Sequence, residues 1–374
     1  MPTSPDMPSL RLVSVFNPAR NSFGFLRLLF ATTVILSHAW PLGGFGVDPG
    51  RPGNNLGILA VEGFFALSGF LITRSGESHG TGRFIWHRIV RIFPALWVCL
   101  VLIAAVFAPI VWHASHSMRD YLTTQPTAIG YVVNNMLLYN LQRGIGDTLA
   151  GNPFPNLWDG SLYTLSFEFS CYLLIAMLVA FKVLGRRSMT VLAILCWVWV
   201  QVASHGVLGA GMDTRQARFT LCFIVGSLIY LYRDEVLARS RWWVPAIAAV
   251  VAIGSYASVG FFQIGIIAYA YLCIWVGAVL PLHRIGVKRD YSYGMYIYGW
   301  PVLQLASFVG LNRLGMLVYL PVVLAVTVVL AAGSWHLIES RALHGKNARA
   351  PRWFTDNTMT AVPPRVPRRP PARR

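Results

Sequence analysis

Long apolar stretches alternate with short polar ones along almost the whole chain. Ten windows of about 20 residues stand out, at 23–42, 56–73, 92–112, 162–181, 189–208, 215–232, 242–258, 262–280, 291–311 and 316–338. About 20 mostly apolar residues in a helix cross the hydrocarbon core of a bilayer. The pattern therefore predicts an all-α integral membrane protein with about ten transmembrane helices. The sixth window is the weakest, because Arg215 and Arg218 sit in its first turn, and only a very short break parts the seventh from the eighth. The first apolar stretch begins at Phe23 and contains Arg27 and His38, unlike the uninterrupted core of a cleavable signal peptide.

Composition agrees with this pattern. Apolar residues make up 55% of the 374 and charged residues 12%, against roughly 25% charged in a soluble domain. The net charge of +17 would suggest nucleic acid on a soluble chain, but its location points elsewhere. With the N-terminus inside, 25 of the 31 Lys and Arg fall on the inner side, and six (Arg51, Arg119, Arg143, Arg215, Arg218 and Arg313) fall outside. Cytoplasmic loops carry such an excess, so both ends are expected in the cytoplasm and no nucleic-acid partner is expected. Residues 1–21 read as a short cytoplasmic lead and 22–345 as the polytopic domain, with 113–161 its large extracytoplasmic segment. The apolar stretch 131–141 is too short to span, and its place is the interface or a re-entrant loop. Residues 346–374, rich in Pro and Arg, read as a disordered cytoplasmic tail that either touches anionic lipid or stays solvated. Five unclustered cysteines inside the apolar windows read as packing residues, and nothing in the sequence suggests a metal.

The candidate chemistry lies in the few ionisable residues within the spans, each of which costs about 2.5–3.5 kcal/mol to insert at the bilayer centre. These are Arg27, His38, Glu62 and Glu168. Arg27 and His38 are eleven residues apart, which returns them to nearly the same helix face about 16 Å apart along the axis. One helix thus offers a cation near the inner mouth and a titratable imidazole toward the outside, which suits a donor arriving from one side and an acceptor from the other. On spacing alone, a snorkelling Arg27 with a His38 that caps or hydrogen-bonds a neighbouring helix is the plainer account of the pair. In the loop before the third span, Arg88 and Arg91 share a helical face, with Arg83 nearby. Paired guanidiniums suit phosphate, and ordinary inside-positive charge is the plainer account. Ser68 and the glycines around it favour close helix packing.

Together these strings resemble the acyltransferase-3 family of membrane-bound O-acyltransferases. Arg27 and His38 are similar to the family's Arg/Lys-x10-His motif, Phe64 to Ile72 to its second-helix motif, and Arg88-Ile89-Val90-Arg91 to its cytoplasmic Arg-x-x-Arg. Ser161 to Tyr172 resembles its Ser-Leu-Trp-Thr-Leu-x-x-Glu-Phe string, Tyr291 to Tyr298 its ninth-helix motif, and Trp335 to Glu339 its closing motif. The likeness covers about residues 20–345. Tyr163 stands where a Trp is usual, Gly299 where many members have a His, and Ser340-Arg341 lacks a customary Pro.

The resemblance implies transfer of an acyl group, expected to be acetyl, from cytoplasmic acetyl-CoA to a hydroxyl of a cell-envelope carbohydrate or glycolipid, in the inner membrane. It implies His38 as general base or covalent acyl carrier and Arg27 at the entrance. Glu168 would orient His38 or bind acceptor hydroxyls, and Arg88 and Arg91, helped by Arg83, would hold the donor's phosphates. The rival from another class is a glycan or lipid transporter or flippase whose intramembrane His and Glu relay protons. The inside-positive count carries its own test. Single cysteines introduced in 113–161 are expected to react with an impermeant thiol reagent on intact cells, and cysteines in 74–91 to be protected. External labelling of 74–91 would overturn the topology.

Overall fold

A computed structural model describes residues 17, 20–139, 141–204, 214–237, 243–258, 261 and 264–345. Most of the lead and the Pro- and Arg-rich tail lie outside the described residues. The chain runs through α1 (Phe23–Gly43), a short hairpin of β1 (Gly50–Arg51) and β2 (Asn54–Asn55), α2 (Leu56–Ser78) and α3 (Thr81–Leu102). A π-helical turn at Ile103–Phe107 carries α3 into α4 (Ala108–His113). There follow α5 (Ala128–Asn135), α6 (Leu162–Ala180), α7 (Arg186–Ser204), α8 (Thr214–Leu231), the single turn α9 (Arg233–Val236), α10 (Trp243–Ala257), α11 (Gly265–Val279), α12 (Ser292–Phe308) and α13 (Met316–Ser334). A second π-helical turn, Trp335–Glu339, leads into α14 (Ser340–Gly345).

The described structure is nearly all helix, and within the described residues each of the ten apolar windows holds a helix. Six helical rods are long and apolar enough to cross a membrane: α1, α2, α3 with α4, α6, α7, and α13 with α14. Among the other four, α10 and α11 are apolar but of 15 residues each, α12 has 17, and α8 carries Arg215 and Arg218.

Small residues set the tightest packing. A Cβ on Gly69 would strike the Phe223 carbonyl, and one on Gly226 the Ala66 carbonyl, so α2 and α8 touch backbone to backbone. The Phe65 and Phe219 rings stack 5.1 Å apart beside this contact. The fully buried Glu62 on α2 pairs with Arg218 on α8. Arg218 also donates to the Gly53 carbonyl at 2.7 Å and to Asn54 Oδ1 at 2.6 Å, tying the hairpin down. The intramembrane carboxylate at 62 is thus matched by a cation in the sixth apolar window. All five cysteines are buried free thiols.

The long segment 113–161 folds back onto α12. Gln304 accepts from Asn152 Nδ2 at 2.7 Å and donates to the carbonyls of Phe154 and Leu157 at 2.8 and 2.9 Å, while Trp300 donates to the Leu157 carbonyl at 3.1 Å. Within it, α5 is capped by the Thr127 side chain, buries Tyr131 and exposes Ile129 and Val133.

Asp159 closes this segment. It is 1% exposed and accepts from the backbone N–H and hydroxyl of Ser161 through one oxygen, while its other oxygen has no hydrogen-bond partner. Burial raises its carboxyl to about 7, despite the opposing pull of the Ser161 bonds. An unfolded chain releases the same proton near pH 4. Between those values the folded form keeps a proton the unfolded form has lost, so this group's contribution to stability falls as pH rises through the window. Asp159→Asn removes that loss. It is expected to raise the Tm of detergent-purified protein by at least about 2 °C at pH 8 and to change it little at pH 4. A difference that does not vary with pH would contradict this.

Candidate active site

The two residues of α1 singled out by their spacing open onto two different cavities. Arg27 lines a cavity of about 110 Å³ whose other charged groups are Arg88, Arg91 and Glu168. His38 lines a cavity of about 540 Å³ together with Asp48, Arg143 and Arg215. Val61 on α2, Thr164 on α6 and Tyr296 on α12 line both. Thr164 Oγ1 and the Tyr296 hydroxyl are hydrogen-bonded to each other, so a polar contact sits in the wall the cavities share. Pockets that take small molecules run to about 300–1,000 Å³. The histidine cavity falls in that range, and the arginine cavity has room only for the end of a larger ligand.

In the arginine cavity the cations face inward and their counter-ions stand behind them. Asp290, just before α12, accepts from Arg27 Nη1 and Arg91 Nη2, both at 2.6 Å. Burial alone would push its carboxyl up, but the Arg27 and Arg91 guanidiniums and the bonds from Ser292 hold it at about 2, fully ionised. Arg91 Nη1 also lies 3.1 Å from Glu339 Oε2, whose other oxygen accepts from Ser334 at 3.1 Å. Neither Asp290 nor Glu339 lines the cavity. Arg88 differs: among the described residues it makes no ion pair. Its guanidinium lies 5.9 Å from the centres of the Phe84 and Tyr172 rings, and its Nε is buried without a hydrogen-bond partner. Glu168 Oε1 accepts from the Tyr172 hydroxyl at 2.5 Å and from Ser68 at 3.0 Å.

In the histidine cavity the imidazole is held on two sides. His38 Nδ1 lies 3.2 Å from Asp48 Oδ1, which also accepts from Ser37 at 2.9 Å. The Trp300 ring meets the imidazole edge to face at 4.8 Å between centres, and Trp300 is itself fixed by its bond to Leu157. Burial pushes the Asp48 carboxyl up, but its bonds to His38 and Ser37 outweigh this and leave it below the usual carboxylate range. An ionised carboxylate at Nδ1 favours the tautomer whose Nε2 is free to accept a proton.

These contacts redistribute the roles expected of the sequence. Glu168 is not the partner of His38: it lies in the arginine cavity on Ser68 and Tyr172, and the carboxylate at the imidazole is Asp48. Ser68, read from sequence as packing, carries one of Glu168's hydrogen bonds. Arg83 is exposed and lines neither cavity. Arg91 is engaged by two carboxylates, whereas Arg88 is not. Gly299 has no room for a His, because a Cβ there would lie 2.7 Å from Ile35 Cγ1, where α12 meets α1. The sequence reading passed over Asp48 and Asp290, and gave no role to Glu339. Their signal lies in the sequence: Asp290 directly precedes the Tyr291 to Tyr298 string, Glu339 ends the Trp335 to Glu339 string, and Asp48 follows His38 by ten residues. No group of three or more His, Cys, Asp or Glu among the described residues is arranged to hold a metal.

The chain is similar to known proteins over most of its length. Residues 20–336 match a family profile described as an acyltransferase domain. The chain is 27% identical over 350 residues to an "O-acetyl transferase" of Shigella phage Sf6, covering 86% of this chain and 96% of the relative. It is 28% identical over 364 residues to "Nodulation protein 10" of Rhizobium leguminosarum bv. viciae, covering 87% and 93%. No solved structure matches the chain significantly.

The two neighbouring arginines should separate on mutation. Removing one partner of a buried pair costs about 3–5 kcal/mol, so Arg91→Ala, which leaves Asp290 and Glu339 short of a cation, is expected to lower Tm sharply. Arg88→Ala strands no carboxylate and should unfold close to wild type. Thermal unfolding of both purified variants checks this, and an equal loss in the two would contradict it.

Proposed function

The chain belongs to the acyltransferase-3 family, and from that membership we propose that it carries an acetyl group from acetyl-CoA at the cytoplasmic face to a hydroxyl of a cell-envelope carbohydrate at the opposite face. In this reading about ten helices span the inner membrane, both chain ends are cytoplasmic, and the arginine cavity opens inward. Arg88 meets a phosphate of the donor as a charge-assisted partner, while Arg27 and Arg91 shape the entrance through Asp290. The cavity is too small for a whole coenzyme, so the nucleotide stays outside it, and the pantetheine arm leads from the phosphate at Arg88 past Val61, Thr164 and Tyr296 to put the thioester at His38. The acceptor lies in the histidine cavity. His38 Nε2 takes the proton of its hydroxyl, the oxygen attacks the acyl carbon, and the departing coenzyme A thiolate takes the proton back. Asp48 holds the imidazole and balances its positive charge while the proton is on it. A covalent acyl-imidazole would use the same Nε2 and the same support from Asp48.

The observation that carries this reading is the Asp48–His38 contact inside the larger of two cavities that share a wall. A histidine kept for packing needs neither a carboxylate nor an open volume at its other edge. General-base catalysis contributes roughly 10²–10⁴ in rate. His38→Gln is expected to lower acetyl transfer in membranes by about that factor with expression and Tm near wild type. Asp48→Asn, which keeps the shape but not the charge, is expected to lower kcat by less and to shift the pH profile of transfer. Near-normal transfer by His38→Gln would remove His38 from the mechanism.

A further inference from the structure

We propose that Tyr296 is a further catalytic residue, whose hydroxyl donates to the thioester carbonyl oxygen as that oxygen gains negative charge during acyl transfer. This deepens the acyltransferase reading and rests on it for the reaction served.

Attack of a hydroxyl on a thioester makes the acyl carbon tetrahedral and leaves its oxygen holding the displaced electron pair. Fixed hydrogen-bond donors aimed at such an oxygen supply a large share of the rate enhancement in acyl transfer. Asp48 behind His38 serves the proton and not this oxygen. The missing donor has to stand where the cavities meet, because the thioester arrives from one and the attacking hydroxyl from the other. Among the described residues three line both cavities: Val61, Thr164 and Tyr296. The Val61 side chain has nothing to donate. Thr164 Oγ1 gives its single proton to the Ser161 carbonyl at 2.9 Å. In the bond between the two hydroxyls the proton therefore comes from Tyr296.

That bond is a resting arrangement open to exchange. A hydroxyl inside a protein needs an acceptor, and Thr164 Oγ1 supplies one. When a carbonyl oxygen reaches the junction, rotation about the phenol C–O bond turns the proton from one acceptor to the other, and Thr164 keeps its bond to Ser161. An anionic acceptor makes a hydrogen bond about twice as strong as a neutral one. The exchange is therefore favoured more in the tetrahedral state than in the bound thioester, which is the difference that accelerates a reaction. In sequence, His38 Nε2 takes the acceptor's proton, the new C–O bond forms, and the carbonyl pair moves onto the oxygen held by Tyr296. The pair then returns, the C–S bond breaks, and the thiolate takes the proton from His38. Tyr296 keeps its own proton throughout.

The fold holds this phenol in place. The Phe64 ring meets the Tyr296 ring edge to face at 5.7 Å, and Phe30 meets Phe64 at 5.6 Å, so α2 and α1 brace it from behind. Trp300 lies four residues further along α12, on the same face and about 6 Å along the axis, and it is the ring that packs on His38. Because α12 starts beside the Arg27–Asp290–Arg91 cluster, Tyr296 stands one turn from the imidazole on the side from which the thioester comes. Its neighbours in the Tyr291 to Tyr298 string are engaged elsewhere. Tyr291 bonds His336 Nε2 at 3.2 Å, and Tyr293 donates to the Ile92 carbonyl at 2.8 Å.

Tyr296→Phe removes the hydroxyl and keeps the ring. The readout is coenzyme A thiol released at saturating acetyl-CoA by membranes holding their own envelope carbohydrate, per amount of protein, with membranes lacking the protein as the blank. Tyr296→Phe is expected to lower this kcat by about 10²–10³. Acetyl-CoA affinity, titrated by calorimetry into detergent-purified full-length protein, is expected to stay within about twofold, since the bond strengthens only in the tetrahedral state. Thr164→Val breaks the same bond between hydroxyls but leaves the phenol, so it should retain at least about tenfold more activity than Tyr296→Phe. A bond that merely holds the wall together would cost the same from either end. Equal losses in the two variants, a loss that follows acetyl-CoA affinity, or near-normal kcat in Tyr296→Phe would each overturn the proposal. Failure of the acyltransferase reading itself has a different signature: wild-type membranes would release no more thiol than the blank, and the role of Tyr296 would fall with it.

Discussion

A charge among apolar helices costs several kcal/mol unless it is paired or faces water, and that constraint organises this molecule. Each ionisable side chain singled out inside the bundle is paired, opens onto a cavity, or does both. Glu62 is matched by Arg218 across α2 and α8, and Arg27 and Arg91 by Asp290 with Glu339 behind. Arg27 and Arg91 also open onto a cavity, as do Arg88, Glu168 and His38, the last with Asp48 beside it. The Arg27–Asp290–Arg91 cluster is the more consequential of the matched groups. It joins the start of α1 to α3 and to the start of α12, and so fixes the helix that carries His38 relative to the helix that carries Tyr296 and Trp300.

From that anchor, α1 acts as a ruler. Arg27 and His38 are separated by about 16 Å of helix, and each opens onto its own cavity. Between them α2, α6 and α12 contribute Val61, Thr164 and Tyr296 to both walls. The asymmetry of the cavities follows from what surrounds them. The arginine cavity is narrowed by closely packed helices, with Gly69 and Gly226 drawing α2 and α8 together nearby. The histidine cavity is roofed by loop, because Gln304 and Trp300 pull the segment 152–157 over α12. On the proposed function, the small chamber takes part of the donor and the larger one the acceptor.

Much of this was legible in the sequence, because helical periodicity is a local property. Within the described residues every apolar window holds a helix, and Arg27 and His38 lie on one helix, each opening onto one of two cavities that share a wall. The glycine-rich stretch of α2 packs as closely as small residues allow. What the sequence concealed depended on tertiary return. Asp48 reaches His38 because a two-stranded hairpin at Gly50–Asn55 turns the loop after α1 back toward it. Asp290 and Glu339 reach Arg91 across about 200 and 250 positions of chain. Arg88 and Arg91 look equivalent in a motif, yet one is held by two carboxylates and the other by none among the described residues. Glu168 shows the same limit. Its presence in the bundle was readable, but its cavity was not, and the histidine's carboxylate came from a loop that carries no helical signal.

The central claim is that donor and acceptor meet from opposite faces along one helix. Right-side-out vesicles from cells expressing the protein can be loaded internally with radiolabelled acetyl-CoA, with envelope carbohydrate present outside. The measurement is alkali-labile label on the external carbohydrate, compared with the same vesicles given acetyl-CoA only externally. Label is expected when the donor is inside and not when it is outside, with His38→Gln vesicles as the blank. Label that appears only when donor and acceptor share the external face would contradict a path from the arginine cavity to the histidine cavity.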